Sequence, residues 1–102
     1  MRRQIISQTG TGSSAWVPVD PTQNQFGIGF GVVVSGTVTY TIQHTFDDVF
    51  DTDVTPTAFD HASVAGQTTN QDGNYAFPIA AIRVQVTAGT GSATLTALQG
   101  RK

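Results

Sequence analysis

The chain has 102 residues, no cysteine and a charged fraction of only 12%, against roughly 25% in an ordinary soluble domain. This length predicts a single domain over residues 1–102 with one hydrophobic core. The absence of cysteine excludes a disulfide framework, a zinc–cysteine site and a thiol nucleophile. No apolar run approaches the ~18 residues that a membrane-spanning helix needs, so we expect no membrane partner.

The net charge of −2 hides an uneven distribution along the chain. Four of the five basic residues lie at its two ends: Arg2, Arg3, Arg101 and Lys102. Between these ends, Arg83 is the one base against seven aspartates, a sum of −6. A body this acidic argues against nucleic-acid binding, which needs a basic face. The basic ends are candidate partner-binding arms that would grip an acidic neighbour, or else solvated tails.

The N-terminal part predicts two short strands. Residues 1–8 are an arm or a first edge strand, and residues 9–14 form a loop by composition. Residues 15–19 predict a second strand, which Pro18 confines to a sheet edge because proline cannot donate to a β-ladder. Trp16, the single tryptophan, is expected in the core or in a subunit contact, and is a candidate partner-binding residue.

Two alternating segments form the clearest pattern of the sequence. Large apolar side chains alternate with glycines over residues 26–34, which predicts a strand with one bulky face and one bare face. In residues 36–46 the apolar side chains and His44 share one parity, and threonines dominate the other. We expect the two strands to form a long hairpin through residues 35–36. We also expect the uncharged threonine face to be covered in an assembly.

Residues 47–57 are expected to form an acidic excursion at one end of the sandwich, with the nearby phenylalanines Phe46, Phe50 and Phe59 pinned inward. Four carboxylates lie close together in this excursion: Asp47, Asp48, Asp51 and Asp53. Hard cations such as Ca²⁺ bind several oxygen ligands, so these aspartates are weak candidates for a metal site. Their spacing is not the alternating Asp-x-Asp-x-Asp-Gly of a calcium loop, and we expect no metal here.

The C-terminal part predicts a turn and a second hairpin. Asp72 and Gly73 mark a tight turn at the end of a polar loop. Residues 81–87 and 92–98 both alternate apolar with polar side chains, and the glycine-rich residues 88–91 join them. Long helical patterns are missing throughout. The predicted fold class is therefore all-β: an antiparallel, jelly-roll-like β-sandwich of about seven or eight short strands.

The sequence contains no catalytic signature. It has no glutamate, no pair of aspartates stands out as the two carboxylates of a glycosidase, and no Gly-x-Ser-x-Gly elbow is present. His44, on the apolar side of its strand, is typical of a hydrogen-bonded core histidine. The glycines of residues 27–31 are not followed by a helix, so they do not form a dinucleotide-binding loop. We expect a non-enzymatic protein without a cofactor.

The alternating strand of residues 36–46, the acidic excursion and the run Asn74-Tyr-Ala-Phe-Pro-Ile-Ala-Ala-Ile-Arg-Val-Gln-Val-Thr-Ala-Gly-Thr-Gly-Ser-Ala-Thr-Leu-Thr96 together resemble the small β-rich virion proteins of tailed bacteriophages, in particular capsid decoration or cement proteins. The resemblance covers residues 36–98 and concerns the residue composition and the order of the segments. It implies a jelly-roll-like sandwich, often a homotrimer, that binds the major capsid protein on the capsid surface of the virion and stabilises contacts between capsid subunits. It also implies synthesis in the host cytoplasm, and it transfers no site residue to this chain.

Two alternatives stay open on the sequence. One is another phage virion role, as a tail, fibre or head–tail joining subunit. The other is a carbohydrate-binding jelly roll, in which Trp16, Tyr40 or Tyr75 would stack on a sugar. Exposed aromatic side chains in a groove would favour carbohydrate binding, and buried ones would favour assembly.

Overall fold

The computed structural model describes residues 4–19, 27–51, 53, 55–75 and 79–99, and these residues contain no helix. Strands cover most of the described chain: β1 Gln4–Thr9, β2 Gly12–Ser13, β3 Val17–Pro18, β4 Ile28–Ser35, β5 Val38–Thr45, β6 Phe59–Asp60, β7 Gln71–Tyr75, β8 Ala81–Gly89 and β9 Ser92–Gln99. All pairings between these strands are antiparallel. In the long strands β4, β8 and β9, alternating apolar and polar side chains explain the strand structure, because one face of each is buried.

The strands form two sheets that pack face to face as a β-sandwich. The first sheet has four strands in the order β1-β9-β4-β7. In the second sheet β8 lies between β5 and an edge made by β2 and β3, and β6 flanks β5 on the far side. This strand order is that of a jelly roll, in which most sequential strands lie in different sheets and β5 and β6 pair within the second sheet. Because β2 and β3 follow one another along the same edge of β8, they act as one interrupted strand. The described chain then has eight strands, in agreement with the predicted seven or eight.

Three tight connections in the described chain cross between the sheets, so the two predicted hairpins are wrong. β4 pairs with β7 and β9, whereas β5 pairs with β6 and β8, and residues 36–37 between them form an arch. β8 and β9 also lie in different sheets and are joined through residues 90–91. Residues 10–11 make the third arch, between β1 and β2. Strands that were expected to pair side by side instead face each other across the core.

The three arches stack at one end of the sandwich, which we call the arch end. The Gly10 N–H donates to the Gly91 carbonyl at 2.9 Å, and the Gly91 N–H donates to the Thr37 carbonyl at 2.9 Å. Gly89 has a φ of 99°, which disfavours other residues, and a methyl group there would collide with the Thr37 carbonyl oxygen. Glycine at this position therefore lets neighbouring arches touch.

The core lies between the sheets and contains the inward-facing side chains of both. The largest fully buried side chains are Tyr40, Tyr75, Ile28, Ile42, Ile79, Ile82, Leu95, Val32, Val38, Val64, Val84 and Val86. The Tyr40 hydroxyl donates to the Thr69 carbonyl at 2.6 Å, which satisfies the one polar group of that side chain. Alternation in β4, β5, β8 and β9 predicted most of this core correctly.

Gly73 lies inside strand β7, so the tight turn predicted at Asp72 and Gly73 is wrong. A methyl group on Gly73 would lie 2.8 Å from Cζ of Phe30 and 3.3 Å from Cε1 of His61. The glycine is required by close packing of an aromatic ring on the strand, and a turn has no part in it.

The end opposite the arches, which we call the loop end, contains the connection between β5 and β6. β1 begins at this end with Gln4, and β9 ends here with Gln99. Backbone hydrogen bonds join the segments of this end: the Ala80 N–H donates to the Thr45 carbonyl, and the Val19 N–H donates to the Ala80 carbonyl.

Candidate interaction surfaces

The candidate basic arms, Arg2, Arg3, Arg101 and Lys102, lie outside the described residues. Residues 4–8, predicted to be either an arm or an edge strand, belong to edge strand β1, where Gln4 is opposite Ala97 and Gln8 is opposite Ala93. The Ser7 hydroxyl also pairs with the Thr94 hydroxyl at 2.9 Å across these strands. The described chain thus begins and ends at the loop end, the same end as the acidic excursion.

Trp16 lies on the outer face of the second sheet, so its predicted place in the core is wrong. It is half-buried, and the Arg83 guanidinium carbon stands 4.3 Å from the centre of its ring. A cation over an indole face at this distance is an attractive contact. Burial lowers the pKa of Arg83 from its ordinary value. The tryptophan is part of an intramolecular contact.

Gln43 connects this contact to the rest of the outer face, and no pattern in the sequence indicated this role. The Arg83 Nε–H donates to the Gln43 Oε1 at 2.8 Å. The Gln43 amide nitrogen donates to the Asp60 carboxylate at 2.9 Å and to the Gln85 side-chain oxygen at 3.0 Å. Both N–H groups and the oxygen of the buried Gln43 amide therefore have hydrogen-bond partners. Through these bonds the uncharged amide connects the basic Arg83 to the acidic Asp60.

The threonine face of β5 is partly covered by the chain itself. Thr45 is fully buried, and Thr41 is buried and accepts a hydrogen bond from the Gly66 N–H at 2.9 Å. Thr39 is half-buried and Thr37 is exposed at the arch end. Contacts within the chain thus already bury Thr41 and Thr45, two of the four threonines that were expected to be covered in an assembly.

The carboxylates of the acidic excursion bond to backbone N–H groups of the same loop. Asp47 accepts from Thr57 at 2.7 Å, and Asp48 accepts from Phe50 at 2.9 Å. Asp51 accepts from Asp53 at 3.0 Å. Within the described ranges, no three histidine or acidic side chains come together as a group that could hold a metal ion. Asp48 and Asp51 therefore shape the loop by turn-type bonds, and Asp47 ties the start of the loop to Thr57.

Three exposed phenylalanines lie around this loop, so the prediction that they point inward is wrong. The exposed fractions of the side chains are 54% for Phe46, 76% for Phe50 and 47% for Phe59. Phe46 shares the parity of the core positions but comes one residue after β5 ends at Thr45. Beyond that point the alternation no longer determines the side-chain direction. We call Phe46, Phe50 and Phe59 the phenylalanine patch.

An aromatic row connects this patch to the core. The His44 ring lies 5.4 Å from Phe46 and 5.8 Å from Phe59, measured between ring centres. On its other side, the His44 Nδ1 makes a 2.9 Å hydrogen bond with the Tyr75 hydroxyl. Tyr75 in turn lies 5.7 Å from Phe30 deep in the core. The patch is therefore anchored to a rigid interior, which restricts the movement of Phe46 and Phe59.

A second histidine, His61, directly follows β6, and its ring centre lies 4.9 Å from that of Tyr75. The His61 Nδ1 accepts from the Ser63 and Val64 N–H groups at 3.1 Å each, and its Nε2–H donates to the Asn74 carbonyl at 3.0 Å. These partners assign the proton to Nε2. His61 thereby orders the segment that follows β6.

A surface hollow of about 240 Å³ lies beside the phenylalanine patch. Its lining is mainly apolar: Val19, Phe46, Asp48, Val49, Phe50 and Ala80. The acidic side chains of the excursion surround the same end. The loop end therefore offers an apolar depression with an acidic rim, suited to a partner that presents an apolar side chain beside basic groups.

The stacking residues of the carbohydrate alternative are inaccessible in two of three cases. Tyr40 and Tyr75 are fully buried, and Trp16 is covered on one side by Arg83.

The described part of the chain also has no helix long and apolar enough to cross a membrane. No protein-family model matches the chain, and no curated protein matches it.

Proposed function

We propose that this chain is a non-enzymatic virion structural protein: a capsid decoration or cement protein that binds the phage head and stabilises contacts between major capsid subunits. The observation that carries the proposal is the phenylalanine patch beside the 240 Å³ hollow. Three large aromatic side chains, each about half or more exposed, lie at one end of a rigid sandwich. Clustered exposed apolar side chains mark protein–protein contacts.

The electrostatics of the loop end support a protein partner of defined chemistry. Asp47, Asp48, Asp51 and Asp53 lie in the same loop as Phe50, and Asp48 lines the hollow. The partner surface should therefore present arginine or lysine beside an apolar side chain. Aromatic anchors supply most of the binding free energy in such interfaces, while charges at the rim mainly accelerate association. By bridging two capsid subunits, this chain would stabilise the assembled shell by mass action.

The jelly roll agrees with this role and with others. Viral capsid proteins and lectins both use this fold, so the fold alone does not select a function. The burial of Tyr40 and Tyr75 favours assembly over carbohydrate binding. A tail, fibre or joining subunit would use the same patch on a different virion protein.

Co-sedimentation with empty phage heads that lack this chain tests the proposal. We expect wild-type protein to pellet with heads, and Phe50→Ser to bind at least tenfold more weakly, because burial of a phenyl side chain contributes about 1.5–3 kcal/mol. Thr90→Ala, an exposed change at the arch end, is the matched control and should bind as wild type does.

Two results would count against the proposal. Wild-type protein that stays in the supernatant with heads, but pellets with isolated tails, would move the role to the tail. Equal binding by Phe50→Ser and wild type would mean that heads are bound through another surface. Circular dichroism of the variant separates a folding defect from a binding defect.

A further inference from the structure

We propose that the outer face of the first sheet pairs with the same face of a second copy of this chain. This inference goes beyond head binding, because it concerns a surface that the phenylalanine patch does not include. We call this surface the glycine face. Its outward-facing residues come from all four strands of the sheet: Ile5, Ser7, Thr9, Gly29, Gly31, Val33, Ser35, Asp72, Asn74, Ser92, Thr94, Thr96 and Leu98.

The first argument is the apolar content of this face. Three of its side chains are large, apolar and more than half exposed: Ile5 at 54%, Val33 at 60% and Leu98 at 55%. The other residues of the face are glycines, serines and threonines, together with Asp72 and Asn74 on the edge strand β7. Exposed β-sheet faces of soluble proteins usually carry polar and charged side chains, so an apolar and neutral face is poorly explained by contact with water alone.

The second argument is the relief of the face. Gly29 and Gly31 leave open space above β4, since a methyl group on either would meet no atom within 4 Å. A hollow of about 340 Å³ extends from Gly31 and Val33 toward Asp72 on β7. On the other side of this trough, Leu98 lies directly opposite Gly29, and Ile5 lies opposite Thr96. One face thus contains both a ridge and a trough.

The two features are complementary to each other under a two-fold rotation. A dyad that lies between the two faces, parallel to the strands and between β9 and β4, places the Leu98 and Ile5 ridge of one copy over the glycine trough of the other, and the reverse. Such isologous contacts are the commonest kind in homo-oligomers. Sheets normally pack ~10 Å apart, with side chains interdigitating, and the bare glycine strand gives the opposing side chains room to enter.

The third argument is charge, and it selects a second copy as the occupant. The chain between its basic ends carries a net charge of −6, so two copies repel one another over most of their surfaces. Among the described residues, the glycine face carries one charged side chain, Asp72, on its edge strand β7. This is the face on which two acidic copies meet with the least like-charge contact.

The size of the face is sufficient for a dimer. Four strands at ~4.8 Å spacing and about seven residues in length cover roughly 20 by 25 Å. Each copy would bury about 500 Å² of surface, and the pair about 1,000 Å², which reaches the lower limit for a specific interface. A moderate affinity is therefore expected.

Sedimentation of the full chain from micromolar to near-millimolar concentration tests the pairing. Wild-type protein should reach the mass of two copies, and Val33→Asp should shift the dissociation constant upward at least tenfold. Thr87→Asp places the same charge at an exposed strand position on the outer face of the second sheet, and should dimerise as wild type does. Gly31→Val should fold normally, because space is open there, but should pair more weakly because it fills the trough.

The outcomes distinguish this inference from the head-binding proposal. A wild-type protein that stays at one copy at all concentrations, or that reaches three copies, would overturn the two-fold pairing and leave head binding intact. Equal dissociation by Val33→Asp and Thr87→Asp would also overturn it. A dimer that ignores heads would overturn the proposed function and leave the pairing standing.

Discussion

At the scale of single residues, His44 links the stability of the fold to the phenylalanine patch. Burial lowers the pKa of His44 from its ordinary value of 6.5, the nearby His61 lowers it further, and Asp60 raises it in part. Burial also raises the pKa of Tyr40 and of Tyr75, and Asp60 raises that of Tyr75 as well. The folded protein therefore favours the uncharged forms of His44, Tyr40 and Tyr75.

These pKa shifts predict that the free energy of unfolding is highest near neutral pH and falls on both the acid and the alkaline side. Below about pH 6.5 the unfolded chain binds more protons at His44 than the folded chain does, so the free energy of unfolding falls as the pH falls. Above about pH 10 the unfolded chain loses its tyrosine protons first, so the free energy of unfolding falls as the pH rises. Urea unfolding at a series of pH values, followed by Trp16 fluorescence, measures both flanks.

The acid flank is tested further by His44→Gln, which removes the titrating ring. The variant should be less stable than wild type at neutral pH, because the hydrogen bond to Tyr75 and the ring contacts are altered. It should also lose less stability than wild type between pH 7 and pH 5. An acid flank of the same depth in both proteins would show that other groups cause it.

Residue direction could be predicted only within strands. Alternation correctly placed Val38, Tyr40, Ile42 and His44 inward, because successive side chains of a strand leave opposite faces. It failed for Phe46, one residue after the strand ends. Trp16 was misplaced for a related reason, since its position between the short strands β2 and β3 gives no parity, and its contact with Arg83 depends on a residue far along the chain.

At the scale of elements, the arches are the main feature that the sequence did not reveal. A two-residue hairpin turn at residues 35–36 would set Val32 opposite Thr39, an inward residue beside an outward one, so the predicted β4–β5 hairpin conflicted with its own pattern. For β8 and β9 a hairpin through residues 90–91 would pair Val86 with Leu95, both inward. In that case the alternation is equally compatible with a hairpin and an arch. The pairing of β8 with β5 and of β9 with β4 determines that the connection is an arch.

The stacked arches predict a sharp difference between two glycines. Gly89→Ala should destabilise the protein by roughly 2–4 kcal/mol, because its methyl group meets the Thr37 carbonyl and its φ is positive. Gly29→Ala is the control within a strand and should change the free energy of unfolding by less than about 1 kcal/mol, because nothing lies within 4 Å of the new methyl group. Urea unfolding measures both values, and equal effects would contradict the contact between arches.

At the scale of the whole molecule, the sandwich places two different surfaces apart from each other. The all-β sandwich was predicted correctly, because alternating strands without helical patterns allow few other architectures. The positions of the surfaces were not predictable from the sequence. The phenylalanine patch forms where a loop follows the second sheet, and the glycine face forms only after β1, β9, β4 and β7 come together from distant parts of the chain.

This separation suggests a division of roles in an assembly. The glycine face would join copies of the chain through mainly uncharged, interdigitating contacts, and the loop end would bind a basic and apolar site on the head. Because most of the acidic side chains of the described residues lie at the loop end and the pairing face carries only Asp72 among them, the two contacts do not compete for the same residues.

Hydroxyl-radical footprinting of the protein, free and bound to empty phage heads, tests the central claim most directly. It reports the oxidation rate of individual phenylalanines, and Phe50 should be strongly oxidised in the free protein because 76% of its side chain is exposed. Head binding through the phenylalanine patch predicts that the oxidation of Phe46, Phe50 and Phe59 falls several-fold, while buried Tyr40 stays protected in both samples. Unchanged oxidation of Phe50 on heads that have bound the protein would contradict the account.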